Sequence, residues 1–246
     1  MDEPTVAFVT GASRGIGRAT CLALAQSGLA VAIGYRSDQA SAEESVGKIQ
    51  ADGGSAMAVH CDVTNEASVG EAFGAIEAEL GKTTVLVNNA GFSRDGLAIR
   101  YSTADWDTTI GINLTGAFLC TRRALPAMVR AKWGRIINVS SAAGLRGNPG
   151  QIAYTSAKHG LIGMTRSLAR EMGSRGITAN VVCPGMVETD MSAVIADAHR
   201  QMWMNLTPAG RFGIPEEVAS VIAFLVSPDA AFVNGAAIPV DGGLTA

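Results

Sequence analysis

The chain of 246 residues holds only four cysteines and three histidines, and neither type clusters. Cys21, Cys61, Cys120 and Cys183 lie far apart with no C-x-x-C pair, which reads as free, buried thiols in a reducing cytoplasm. His60, His159 and His199 are equally dispersed, so no metal site is expected. No apolar run reaches the roughly 18 residues that a membrane helix needs. The opening MDEPTVAFVT is acidic and enters a strand-like run at once, without the basic start and apolar stretch of a signal peptide. A formal net charge of −3 disfavours general nucleic-acid binding. Internal repeats and low-complexity tracts are also lacking. What is present is a globular composition, 48% hydrophobic against 17% charged, with 29 scattered glycines that call for many tight turns. The length suits one large α/β domain spanning residues 1–246.

Apolar runs of strand length alternate with helix-length segments. TVAFVT (5–10), AVAIGY (30–35), AMAVHC (56–61), TVLVN (84–88), RIINVS (135–140), TANVVC (178–183) and AAIPV (236–240) read as strands. Helices are expected over 15–28, 39–52, 65–80, 104–131, 153–173 and 215–227, the last opening on Pro215. The strands are continuous apolar runs, as expected where helices cover both faces of a parallel sheet. Seven such strands with helical crossovers predict a Rossmann-type doubly wound parallel sheet. Connections stay short until residue 184, and the segment that follows, to 214, is the only long insertion.

TGASRGIG (10–17) joins the first strand to the first helix. Gly11, Gly15 and Gly17 follow G-x-x-x-G-x-G, a variant of the dinucleotide fingerprint. Such a turn lets the backbone approach a pyrophosphate without Cβ atoms and presents amides at a helix N-terminus. An NAD site would place an acid after the second strand to hold the ribose 2′-hydroxyl. This chain has Arg36 there, with Arg14 inside the glycine loop, and a guanidinium suits a 2′-phosphate. NADP(H) is therefore the expected cofactor. The alternative is that Arg36 is a solvated loop charge and Asp38 takes the ribose.

YTSAK (154–158) puts a phenol and an ammonium one helical turn apart on the same face. Ser141 stands thirteen residues before Tyr154. Asn113 falls inside a helical stretch, where asparagine is a poor helix former. Taken singly, each reads as a packing, solvated or turn residue. Together with NNAG (88–91), IN (112–113), SS (140–141) and CPGMVETDM (183–191), in this order, the chain resembles the short-chain dehydrogenase/reductases over essentially its whole length. GRIINVSSAAG, AYTSAKHGLIGMTRSLARE, SRGITANVVCPG and IPVDGG make it most similar to the 3-oxoacyl-acyl-carrier-protein reductases within that family.

The resemblance implies hydride transfer from NADPH to a 3-oxoacyl thioester in fatty-acid synthesis, and a homotetramer. It makes Tyr154 the proton donor and has Lys158 bind the nicotinamide ribose; the lysine ammonium and the oxidised nicotinamide's positive charge together would lower the phenol's pKa. Ser141 would hydrogen-bond the substrate carbonyl, and Asn113 would hold a relay water. It assigns cofactor contacts to Gly11, Ser13, Arg14, Gly15, Ile16 and Gly17 in the glycine loop. Further contacts fall to Asp62 and Val63, Asn89 and Gly91, and Pro184, Gly185, Val187 and Thr189. Lys132 and Arg175 match carrier-docking positions. Rival readings are reduction of acetoacetyl-CoA, a polyketide or a small ketone, alcohol oxidation with the oxidised cofactor, or a cofactor-binding regulator without catalysis.

Met186, Met191, Met202, Trp203 and Met204 crowd the long insertion, which suits a deformable apolar lid over about 186–210, or else an ordinary packing surface. From Thr108 to Arg170 there is no acid but nine basic residues, an asymmetry that suits an acidic partner such as an acyl carrier protein.

Overall fold

The computed structural model describes residues 5–193 and 196–246, apart from the Met191 side chain. The acidic start at residues 1–4, positions 194 and 195 of the expected lid, and the Met191 side chain lie outside the described residues. The apolar runs form β1 (Val6–Val9), β2 (Ala30–Tyr35), β3 (Ala56–His60), β4 (Thr83–Asn88), β5 (Gly134–Val139), β6 (Ile177–Pro184) and β7 (Ala237–Val240). They make one sheet in the order β3-β2-β1-β4-β5-β6-β7, and every pairing is parallel. The order reverses between β1 and β4, which opens a crevice at their carboxyl ends, where ligands bind in such sheets.

The connecting helices are α1 (Gly15–Gln26), α2 (Gln39–Ala51), α3 (Glu66–Glu79), α4 (Thr103–Ile110), α5 (Gly116–Ala131), α6 (Ala142–Arg146), α7 (Ile152–Met172), α8 (Asp190–Ala193), α9 (Asp197–Leu206) and α10 (Pro215–Val226). Successive strand residues point to opposite faces, so each strand feeds two cores. Ala7, Val9, Val31 and Ile33 pack on Cys21 and Leu24 of α1, Ile49 of α2 and Ile222 of α10. Val6, Phe8 and Ala32 pack on Phe73 of α3 and Cys120 and Met128 of α5, with Phe8 edge-on to Phe73 at 5.2 Å between ring centroids. All four cysteines are free and buried. No helix among the described residues is long and apolar enough to cross a membrane.

The structure departs from the expected elements in two places. The single helix expected over 104–131 is split by a π-helical turn at Gly111–Thr115, centred on Asn113. The Met-rich insertion, for which no element was expected, carries α8 and α9. The π turn comes from Asn113 bonding to Phe92 in a distant loop, which local periodicity does not register.

Candidate active site

The glycine loop is held from below. Thr10 Oγ1 accepts hydrogen bonds from the Asn89 and Ala90 amides, each at 3.1 Å. Asn89 Nδ2 donates to Thr10 O at 3.0 Å and Gly11 O at 2.8 Å, so Asn89 braces the loop. Ser13 Oγ donates to Asp38 O at 3.1 Å. Gly15 sits at φ +56, and a Cβ on Gly17 would lie 2.5 Å from Asn89 Nδ2. Both positions require glycine.

Helix α1, which follows this loop, has no side-chain cap and no acid in its first turn. By contrast, Asp38, Asn65 and Ser102 cap α2, α3 and α4. The first amides of α1, around Ile16 and Gly17, are thus left for a ligand anion. Asp38 accepts the Ser41 amide at 3.2 Å, so the carboxylate that was the alternative ribose ligand is engaged in capping. Arg36 is exposed and has no ion pair among the described residues. Arg14 instead pairs with Asp190 at 3.2 Å. These features fit a phosphate-bearing dinucleotide.

Beyond β3, Asp62 accepts from Thr64 Oγ1 at 2.7 Å and from the Thr64 amide at 2.9 Å. The Thr64 hydroxyl is the main reason its carboxyl is held below the usual range, with the Arg36 charge a smaller contribution. Val63 is buried against Gly116 at the start of α5. On the other side of the crevice, Gly185 N donates to Val240 O at 3.0 Å, extending the end of β6 past Pro184. Val187 is buried and bridges to Gly213, while Thr189 Cγ2 approaches to 3.2 Å of the position a Gly15 Cβ would take. The glycine loop and the lid's first residues therefore face each other across a narrow slot.

Asn113, Ser141, Tyr154 and Lys158 come together at the carboxyl ends of β4 and β5. A Cβ on Gly91 would lie 3.1 Å from Asn113 Oδ1 and 3.3 Å from Lys158 Nζ, which places those two groups side by side. Asn113 is buried in the π turn; its Nδ2 donates to Phe92 O at 2.7 Å and Thr109 O at 2.8 Å. Its Oδ1 accepts the Phe92 amide at 3.2 Å, so Asn113 fastens the loop after β4. Lys158 is buried, donates to Val139 O at 2.8 Å, and has its Nζ 5.6 Å from the Tyr154 ring centroid. Ser140 Oγ donates to Lys158 O at 2.8 Å, a structural tie that leaves Ser141 as the serine of the site. Ser141 Oγ caps the short α6 by accepting the Ala143 amide at 3.1 Å.

Burial pushes the Tyr154 phenol above its ordinary pKa, the Ser141 hydroxyl opposes this, and Asp95 adds to the rise. Burial acts on the Lys158 amine as well and lowers it to about 8. The ammonium still predominates at pH 7.

Sequence reasoning missed a buried polar network beneath these groups. Asn88 Nδ2 donates to Asn138 Oδ1 at 2.8 Å and Thr121 Oγ1 at 3.0 Å, and Asn138 Nδ2 donates to Thr165 Oγ1 at 2.9 Å. It links β4 and β5 to α5 and α7, and only the polarity of Asn88 and Asn138 at strand ends signalled it.

Lys132 and Arg175 are brought together with Val129, Ser174 and Gly176 around one shallow depression. That depression lies before β5 and β6, at the sheet end opposite Ser141, one strand length or roughly 20 Å away. Within one chain it does not adjoin the ketone site. The basic stretch is also partly neutralised: Arg122 pairs with Glu66, and Arg123 with Glu77 at 3.6 Å. Arg135 is buried with its guanidinium 4.7 Å above the Trp133 ring.

A family model described as Enoyl-(Acyl carrier protein) reductase matches residues 11–245. The 3-oxoacyl-[acyl-carrier-protein] reductase of Synechocystis is 45% identical over 240 residues, 97% of this chain and 96% of that protein. The protein of the same name from Pseudomonas aeruginosa is 43% identical over 239 residues, with 97% and 96% covered. A crystal structure from Agrobacterium tumefaciens, provisionally described as a gluconate dehydrogenase, superimposes with a TM-score of 0.95 at 35% identity, covering 100% of this chain and 98% of that one. With the glycine loop, the Asn113, Ser141, Tyr154 and Lys158 cluster and these matches in agreement, the chain belongs to the short-chain dehydrogenase/reductases, in the branch of the 3-oxoacyl-acyl-carrier-protein reductases.

Proposed function

We propose that the protein reduces the ketone of a 3-oxoacyl thioester, carried by acyl carrier protein, to the 3-hydroxyacyl thioester of fatty-acid synthesis, with NADPH as the reductant. The observation that carries this reading is the convergence of Tyr154, Ser141 and Lys158 opposite an uncapped helix α1. When bound, the nicotinamide supplies a hydride to the ketone carbon. Tyr154 then delivers its phenolic proton to the ketone oxygen, on which charge develops. A phenol kept protonated by burial is ready to act as the acid in this direction. Ser141 Oγ donates a second hydrogen bond to that oxygen and orients the carbonyl. Lys158, anchored on Val139 O, keeps a positive charge near the phenolate as it forms. Asn113 holds the loop that shapes this pocket.

The glycine loop, Asp62, Val63, Asn89 and Gly91 are proposed to line the cofactor's adenosine and pyrophosphate side, and Pro184, Gly185, Val187 and Thr189 its nicotinamide side. The unpaired Arg36 favours the 2′-phosphate of NADP. Residues 186–210 act as the lid. Helix α9 buries none of its described residues, and Trp203 rests under Arg146 at 5.2 Å.

Two apolar faces support a homotetramer: the edge strand β7 with Phe224 and Phe232 exposed nearby, and the α4–α5 side with Trp106 and Phe118. A carrier docked on Lys132 and Arg175 would then serve the site of a neighbouring subunit. Free buried thiols suit a cytoplasmic enzyme. The test is oxidation of NADPH with acetoacetyl-carrier protein, acetoacetyl-CoA and a simple ketone side by side. A higher kcat/KM for the carrier-bound substrate is expected, and equal values for all three would overturn the carrier assignment.

A further inference from the structure

The loop after β4 is fastened to the start of α7 at the rim of the ketone site. Gly96 N donates to Gly150 O at 2.7 Å, and Gly96 forms an isolated parallel bridge with Gln151. Gln151 immediately precedes α7, one turn before Tyr154, yet its side chain does not cap the helix. Its Nε2 donates instead to Asp95 Oδ1 at 3.1 Å, while its Oε1 accepts from Asn148 Nδ2 at 2.9 Å. Ser93 Oγ donates to the same Asp95 oxygen at 2.8 Å. The neighbouring Arg94 turns away to pair with Asp105, so no cation among the described residues neutralises Asp95.

We propose that Asp95, clasped by Gln151, is a positioning residue for the ketone reduction: it fixes the first turn of α7 against the loop after β4 and holds a carboxylate against Gln151, one turn before Tyr154. This rests on Tyr154 being the proton donor. A nearby negative charge favours the protonated phenol, the form that reduction needs, and Asp95 acts on Tyr154 in that sense. The other groups around the phenol leave that role to Asp95. Lys158, on the same helix, carries the opposing charge. The π turn contributes the neutral Asn113. Cys183 of β6 stays a neutral thiol because burial pushes it up. Arg146, ending α6, is stacked on Trp203, and Arg200 of α9 is paired with Glu188.

The experiment compares pH profiles of thioester reduction for the wild type, Asp95→Asn, Asp95→Glu, Gln151→Ala and Tyr154→Phe, with thermal melts confirming that each is folded. Asp95→Asn keeps the oxygen that accepts from Gln151 but removes the charge. Its alkaline limb should move to lower pH with KM within about twofold of the wild type. Asp95→Glu should return the limb towards the wild-type position. Gln151→Ala keeps the charge and loosens the clasp, so KM should rise several-fold with the limb unmoved. If Tyr154→Phe is inactive while the Asp95→Asn and wild-type profiles superimpose, the inference about Asp95 is overturned and the acid assignment stands. If Tyr154→Phe stays active, the acid assignment itself fails.

Discussion

The glycine loop and the proposed lid face each other across the slot, yet they are held in different ways. Thr10, Asn89 and Ser13 hold the loop with hydrogen bonds that span 25 to 80 residues of sequence. The proposed lid is anchored at its base, where Val187 is buried and bridged to Gly213, and across its outer face only by Arg14 to Asp190, Arg200 to Glu188 and Arg146 over Trp203. Exposed ion pairs of that kind contribute about 0–1 kcal/mol each. The floor of the site is thus held by long-range hydrogen bonds, while the outer face of the proposed lid is held by exposed charges. A fixed cofactor and reacting ketone on one side, and acyl chains of differing length on the other, would divide the work in this way.

That contrast can be broken from either side. The largest effect is expected on the floor. Tyr154→Phe should lower kcat by about 10²–10⁴-fold, the usual worth of a positioned general acid, with cofactor affinity retained in a fluorescence titration. Lys158→Met should also abolish turnover while raising the melting temperature at pH 7. The wild-type amine is depressed from 10.5 to about 8 in the fold, so the unfolded chain binds the proton more tightly. The fold therefore carries a penalty of about 3 kcal/mol below pH 8 that disappears as pH rises towards 10.5. Melts of the variant and wild type should accordingly converge at high pH; a constant offset would contradict the buried ammonium. At the rim of the slot, Arg36→Asp should raise KM for NADPH about tenfold or more and spare NADH. An unchanged preference would make Arg36 a solvated charge. The smallest change is expected in the cover: Trp203→Ala should alter chain-length preference by a few-fold and leave the melting temperature within about a degree.

Much of the floor could be read from residues near each other in sequence. The glycine loop, the continuous apolar strands and the YTSAK spacing report local requirements, and the structure places them at one end of one sheet. The readings that needed long-range information fared differently. Asp95 and Gln151 are 56 residues apart, and nothing local announces their contact. Lys132 and Arg175 do meet, but only the strand direction reveals that they meet at the far end of the sheet. A charge partner such as Lys158 is visible in sequence, whereas the burial that raises the Tyr154 phenol is a property of the whole fold.

The π turn at Gly111–Thr115 carries a consequence for how this chain can change. A π turn amounts to one surplus residue in an otherwise α-helical rod. Upstream of it the rod is phased to bury Thr109, and the turn itself carries Asn113 to the loop at Phe92; downstream the rod is phased to bury Cys120, Ala124 and Met128. Removing one residue from 111–115 would restore regular winding and turn the two halves about 100° relative to each other. Either the pocket or the core would then lose its face of the rod. The surplus residue is thus a spacer between two rotational settings, and the chain can substitute within it far more easily than it can shorten it.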